Sequence, residues 1–310
     1  VAAPTASHDE RGEVAVSGHP DDAAPGEHGA DGEGNAWRRT RALVGASHPG
    51  PTVAVTALAI ILSLAIGLAE QRIFAVGFAV LVGQLAIGWS NDWLDARRDE
   101  AVGRTDKPIA AGDISAAAVR NAFIVAAVLT VPFSLLLGID AAIPHIVLVV
   151  SGIAYNLGVK KTAYSWLPYM VSFGLLPTVV TLAGSPPAEA EWWVIATGAL
   201  LGLAAHFANV LPDLDDDRQT GIRGLPHRLG RVPSGLAAFG ALLLASLAIL
   251  VGAGPSAVTL IGLVLGLLVA ALGVRLVLTR PPGRVLFRLI ILAALIDVVL
   301  LALSGSRLRV

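Results

Sequence analysis

The chain has 310 residues, 55% of them hydrophobic and only 15% charged, with a formal net charge of −1. A soluble domain carries about 25% charged residues, so a mean hydropathy of +0.72 with so few charges excludes an ordinary soluble globular protein. Cysteine is absent, which removes disulfides and thiolate metal sites.

Residues 1–36 hold eight acids (Asp9, Glu10, Glu13, Asp21, Asp22, Glu27, Asp31 and Glu33) against one base, Arg11. The segment is rich in Gly, Ala and Pro and has no apolar period. It is expected to be a disordered acidic tail ahead of a membrane domain over 37–310. No apolar stretch follows a basic start, so it does not read as a signal peptide.

Nine apolar runs follow, at 52–69, 73–90, 121–138, 141–157, 165–183, 192–211, 234–251, 255–274 and 285–303. About 20 apolar residues cross a bilayer. Backbone polar groups in lipid must be satisfied internally, so each run is expected to be a helix. Gly254-Pro255 and Pro281-Pro282-Gly283 separate the last three. Basic residues gather on alternate connections. Arg38, Arg39 and Arg41 precede the first run. Arg97, Arg98, Arg104, Lys107 and Arg120 follow the second, Lys160 and Lys161 the fourth, and Arg218, Arg223, Arg228 and Arg231 the sixth. Arg275, Arg280, Arg284 and Arg288 surround the last connection, while Arg72, Arg307 and Arg309 fall on the other side. The excess of Lys and Arg on cytoplasmic loops then places the N-terminus in the cytoplasm and the C-terminus outside the cell membrane. Trp192 and Trp193 read as interfacial belt residues, and His145 as an outer-side residue remote from chemistry. Asp297, in mid-span, is a costly acid that suggests either function or a bond to a neighbouring helix.

Two acidic clusters break the apolar pattern, at the same end of the second and sixth runs. Asn91, Asp95 and Asp99 are spaced by four, as are Asn209, Asp213 and Asp217, with an offset of 118 residues throughout. Residues so spaced on a helix share one face, and Asp92 joins that face at i, i+3 and i+7 with Asp95 and Asp99. Stacked carboxylates repel unless cations neutralise them. Hard divalent cations take oxygen ligands, and Mg²⁺ typically takes carboxylates together with phosphate oxygens. Arg104, Lys107, Lys160, Lys161, Arg218 and Arg223 lie beside the clusters. Acids and bases together at the mouth of an apolar bundle point to a phosphorylated, lipid-like substrate.

The stretch from Asn91 to Ser115 (NDWLDARRDEAVGRTDKPIAAGDIS) resembles the first signature of the UbiA superfamily of intramembrane prenyltransferases, with Arg104-Thr105-Asp106-Lys107-Pro108 as its basic stretch. Asp213 to Gly230 is similar to the second aspartate motif of that family, and Tyr155 to Lys161 (YNLGVKK) to its tyrosine-plus-lysine segment. Two positions depart from the pattern. Val210 stands where an Asp often follows Asn209, and Lys107 replaces an arginine fork with a point charge.

The resemblance implies an all-α, nine-helix integral membrane bundle with a central cavity open on the cytoplasmic side. It implies Mg²⁺ on Asn91, Asp92, Asp95, Asp99, Asn209, Asp213 and Asp217. The diphosphate would be met by Arg104, Lys107, Tyr155, Lys160, Lys161 and Arg218. His206 and Asn156 are candidates for the acceptor pocket, His206 because it lies one turn before Asn209. The implied reaction is Mg²⁺-dependent transfer of an isoprenyl group from its diphosphate to a lipophilic, typically aromatic, acceptor. A terpene cyclase using the same ionisation without an acceptor is the alternative. A divalent-cation transporter fits less well, because both motifs lie at helix ends on one face rather than near the midplane. The partners expected are the donor, the acceptor and the bilayer, with no nucleic acid.

Overall fold

The computed structural model describes residues 30–214, 217, 221–279 and 284–310. Most of the acidic tail, Asp215, Asp216, Arg218 and the break at 280–283 lie outside the described residues, as does the side chain of Asp213. The chain divides into two units, Val1–Trp37 and Arg38–Val310, and the second carries everything that follows.

Each expected apolar run falls on one helix. After α1 (Ala30–Ala46) come α2 (Pro49–Ala65), α3 (Glu70–Ala101), α4 (Ala116–Leu135), α5 (Ile139–Leu157), α6 (Leu167–Leu182) and α7 (Trp192–Val210). A short α8 (Leu225–Leu229) precedes α9 (Arg231–Ala253), α10 (Ala257–Thr279) and α11 (Arg284–Leu303). Local chemistry sets several starts. Pro49 opens α2, where its missing N–H costs nothing. Ser115 caps α4 by accepting the Ala118 N–H at 3.2 Å. Among the described residues, seven helices are long and apolar enough to cross a membrane. The α1–α2 pair, bent by 66°, makes an eighth if read as one broken span, and α6 is a shorter apolar helix.

Consecutive helices pack on one another, and α11 returns to touch α2 and α7, so the series closes on itself. One apolar core gathers Leu62, Val80, Leu148, Leu176 and Trp193; a second gathers Phe239, Leu242, Leu214 and Ile290. Outward, the helices stay apolar: Phe74, Leu136, Leu268 and Leu303 are all exposed. Helices apolar on every side belong in lipid. The chain is an all-helical, multi-pass membrane protein.

Three local readings are corrected or sharpened. Trp192 is exposed, but Trp193 is buried beneath Gly252 and belongs to the core, because adjacent helix positions point about 100° apart. The first acidic cluster is on a helix, as its spacing predicts, and Arg97 and Arg98, read as part of a connection, share that helix. That helix is α3, whose 32 residues make a rod about 48 Å long, well beyond the ~30 Å apolar thickness of a bilayer. The second cluster does not repeat that geometry. After α7 ends at Val210, Leu211–Asp213 tightens into a 3₁₀ turn. Pro212 has no N–H to donate to the preceding turn, so the four-residue spacing is not carried on one α-helical stripe.

Two buried polar links lie apart from the motifs. The Ser246 hydroxyl donates to Asp297 at 2.6 Å, tying α9 to α11, so this mid-span acid does bond a neighbouring helix. Ser134 and His145 join at 2.7 Å between α4 and α5.

Candidate functional site

Asp92, Asp95 and Asp99 share one face of α3, and all three are buried at 8% exposure or less. Buried carboxylates must be paired, and each has a cation. Lys160 Nζ donates to both oxygens of Asp95 at 2.6 Å. Arg98 bridges Asp95 and Asp99 at 3.1 Å each. Lys107 Nζ donates to Asp92 at 3.0 Å. Burial pushes the Lys160 ammonium below its ordinary value, and the Asp95 charge opposes that shift. Lys161, by contrast, points outward. Arg104 forks the exposed Asp106 at 2.8 and 2.9 Å, and its hydrogen bonds hold that carboxyl down at about 2.

Lys107 Nζ also lies 3.0 Å from His48 Nε2. The same imidazole nitrogen lies 3.6 Å from Asp92 Oδ1. His48 sits at the α1–α2 elbow and is, among the described residues, the one non-glycine with positive φ, at 54°. A strained backbone persists only where its surroundings fix it, and they do. Trp89 Nε1 donates to the Leu43 carbonyl at 2.9 Å, and Thr52 Oγ1 to that of Ser47 at 2.8 Å. Gly88 lies so close to the Ser47 carbonyl that a Cβ would collide with it. The elbow is thereby pinned to α3 one turn before Asp92.

The other side of the site comes from α5, α6 and α7. Asn91 Nδ2 donates to Asn156 at 3.0 Å and leans on Asp95 at 3.4 Å. Asn156 in turn donates to the Ile87 carbonyl and to Ser90, locking α5 to α3. Tyr155 meets Tyr169 edge-on at 5.2 Å and His206 at 6.0 Å, while Tyr169 and His206 are 5.1 Å apart. Asn209 donates to the Tyr169 hydroxyl at 3.3 Å. Tyr155 precedes Asn156 on α5 and so borders the Asn91–Asp95 face of α3. Asp217 pairs with the buried His227 at 3.2 Å. Arg98, His48, Tyr169 and His227 escaped the sequence reading. Only Arg98 had a signal available, three residues after Asp95 inside the motif.

Among the described residues, no three acids or histidines converge as a ready-made cation site. The carboxylates face lysine and arginine instead. The donor set nonetheless suits a hard divalent cation: it is all oxygen, and Asp92 Oδ2 is buried without a hydrogen-bond partner. A surface recess of about 540 Å³, lined by Arg39, Leu43, Asp113 and Ser115 among others, holds none of the motif acids.

The model of the UbiA prenyltransferase family matches residues 51–295. A 4-hydroxybenzoate octaprenyltransferase of Shewanella amazonensis (strain ATCC BAA-1098 / SB2B) is 27% identical over 192 residues, covering 61% of this chain. That match spans 65% of the relative's length. A UbiA homologue of Archaeoglobus fulgidus, solved with GPP and Mg²⁺, superposes with a TM-score of 0.66 at 10% identity, over 86% of this chain and 99% of that one. A UbiA homologue of Aeropyrum pernix K1 gives 0.63 at 19% identity, over 80% and 95%. At these identities the structures speak to the fold.

Proposed function

The chain belongs to the UbiA prenyltransferase family, and from that premise we propose that it transfers an isoprenyl group from an isoprenyl diphosphate to a lipophilic, aromatic acceptor. The observation that carries this reading is the buried row of Asp92, Asp95 and Asp99, each paired with lysine or arginine. A diphosphate needs both signs of charge: bases for its own oxygens, and acids for the cations that travel with it. The relative named for 4-hydroxybenzoate supports the aromatic acceptor, and the homologue solved with GPP and Mg²⁺ supports donor and cation.

Asp92, Asp95, Asp99, Asp213 and Asp217, with Asn91 and Asn209, would hold Mg²⁺. When bound, the cation neutralises the leaving diphosphate. Lys107 and Lys160, paired here with those carboxylates, would meet the diphosphate oxygens once a cation neutralised the acids; Arg104 and Lys161 are further candidates for the diphosphate, as is Arg218, which lies outside the described residues. The allylic C–O bond breaks, the diphosphate leaves with the electron pair, and the acceptor ring attacks the cation and loses a proton. Tyr155, Tyr169 and His206 pack together as an aromatic cluster with Asn156 beside it, and would exclude water that quenches the cation. Mg²⁺ binding, an opening toward the cytoplasm, nine crossings, a cytoplasmic N-terminus with the acidic tail of 1–36, and an outer C-terminus are parts of the same reading.

The test is diphosphate release by the purified protein in nanodiscs with Mg²⁺ and geranyl, farnesyl or geranylgeranyl diphosphate. Each donor is supplied with and without aromatic acceptors, alongside Asp95→Ala and Asp213→Ala variants. Release that needs Mg²⁺, both aspartates and an acceptor is expected. Acceptor-free release of a hydrocarbon or terpene alcohol would move the protein to the cyclases. No release with any donor would overturn the reading.

A further inference from the structure

Ser165, in the connection between α5 and α6, is fully buried and belongs to neither acidic motif. Its Oγ accepts the Leu225 N–H at 2.8 Å and lies 3.1 Å from His206 Nε2. The hydroxyl keeps its proton and a second lone pair, so it can bond Nε2 in either tautomer of His206. Three segments therefore meet at one hydroxyl: the Lys160–Ser165 turn, α7, and the stretch that leads into α8.

That stretch is pressed against the turn. A Cβ on Gly224 would lie 2.7 Å from the Lys160 carbonyl and 2.8 Å from Ser165 Oγ, so only glycine fits. The same stretch grips the second motif from the other side. The Ile222 N–H donates to the Asp217 carbonyl at 2.9 Å, and His227 holds the Asp217 carboxylate at 3.2 Å. Ser234 adds a bond to the Pro226 carbonyl at 3.3 Å. Lys160, on the far side of the contact, holds Asp95. The path from Asp95 to Asp217 thus runs through Lys160, across the close approach of its carbonyl to Gly224, and along the backbone from Gly224 to His227.

We propose that Ser165 and His206 are positioning residues: together they latch the segment after the second acidic motif onto the turn that carries Lys160, and so fix the spacing between Asp217 and Asp95. The inference rests on the reading of those two aspartates as opposite halves of a diphosphate site. Such a site needs its halves at one distance, because its oxygens bind a ligand of fixed length and small displacements are costly. The ring of His206 serves the aromatic cluster while its Nε2 serves the latch. Without an internal fastening, the 3₁₀ break at Pro212 would leave the second motif less firmly held than the first.

The experiment compares wild type with Ser165→Ala, Ser165→Thr and His206→Phe. Ser134→Ala serves as control: it breaks the equally buried Ser134–His145 pair near the opposite end of α5. Hydrogen exchange reads the Leu225 amide, calorimetry reads binding of magnesium pyrophosphate, and thermal unfolding reads stability. Ser165→Ala is expected to speed Leu225 exchange and weaken pyrophosphate binding, each by about tenfold, the factor carried by one hydrogen bond. Its Tm should fall no further than that of Ser134→Ala. Ser165→Thr, which keeps the hydroxyl, should retain both protection and affinity. His206→Phe, which keeps the ring but not Nε2, should weaken binding in the same direction, and it stands in if Ser165→Ala does not fold. Affinity that ignores Ser165 and His206, or a Leu225 amide that stays protected without the hydroxyl, overturns the latch. A wild type that binds no magnesium pyrophosphate overturns the diphosphate reading instead, and leaves Leu225 exchange to judge the latch.

Discussion

Lys160 and Asp95 are buried together with two 2.6 Å contacts, and Lys160 is 6% exposed. Removing one partner of a buried pair strands the other charge, at a cost of about 3–5 kcal/mol. Asp95→Asn is therefore expected to lower the Tm sharply in detergent as well as abolish turnover. Lys160→Met added to it should recover much of the lost Tm without restoring activity, and thermal unfolding of the double variant and of each single variant checks the coupling. At His48 stability and activity are expected to part company. Its left-handed backbone costs about 1–2 kcal/mol in a residue with a Cβ, so His48→Gly should leave the Tm unchanged or higher. The same change removes a partner of Lys107 and should slow diphosphate release, which a side-by-side melt and assay would detect. The acids were legible in the sequence because helical spacing alone stacks them. Lys107 and Lys160 were legible as neighbouring bases, but which acid each one meets was not, because Asp95 and Lys160 lie 65 positions apart and meet only through α5. Nothing in the local sequence marks His48 or His227.

At the level of elements, α3 and the α1–α2 elbow act as one unit. Gly88 allows the backbones to touch, and the elbow sets His48 beside Lys107. A methyl group at this contact is overpacking, which costs about 1–3 kcal/mol. Gly88→Ala is expected to lower the Tm by that amount and to reduce activity as well, because the elbow must move off α3. A substitution on the exposed face of the same helix, such as Phe78→Leu, should do neither. The continuity of α3 past residue 90 was hard to read, since the charges at 97–100 look like a loop when hydropathy is the guide. Helix-forming Leu94, Ala96 and the arginines carry it on to Ala101. Pro212 pulled the other way: the matched spacing suggested two equal stripes, and one proline made the second a 3₁₀ turn.

Over the whole molecule, the apolar runs were the most legible feature, because lipid leaves the backbone few options besides the helix. The return of α11 onto α2 and α7 left no trace in the sequence, being a matter of packing between distant, similarly apolar faces. The length of α3 has a consequence of its own. A rod some 48 Å long in a film of about 30 Å cannot hide its far end, and how far that end stands clear depends on the film. Thicker lipid straightens such a rod and draws its end inward; thinner lipid tilts it and lets the end out. Reconstitution in lipids from about 14 to about 22 acyl carbons is expected to change turnover several-fold with the fold intact, with circular dichroism as the check. An activity flat across that series would mean that the ring of helices, rather than the bilayer, fixes the height of the acids. Otherwise the membrane itself becomes a control on the enzyme, tuned by its own thickness.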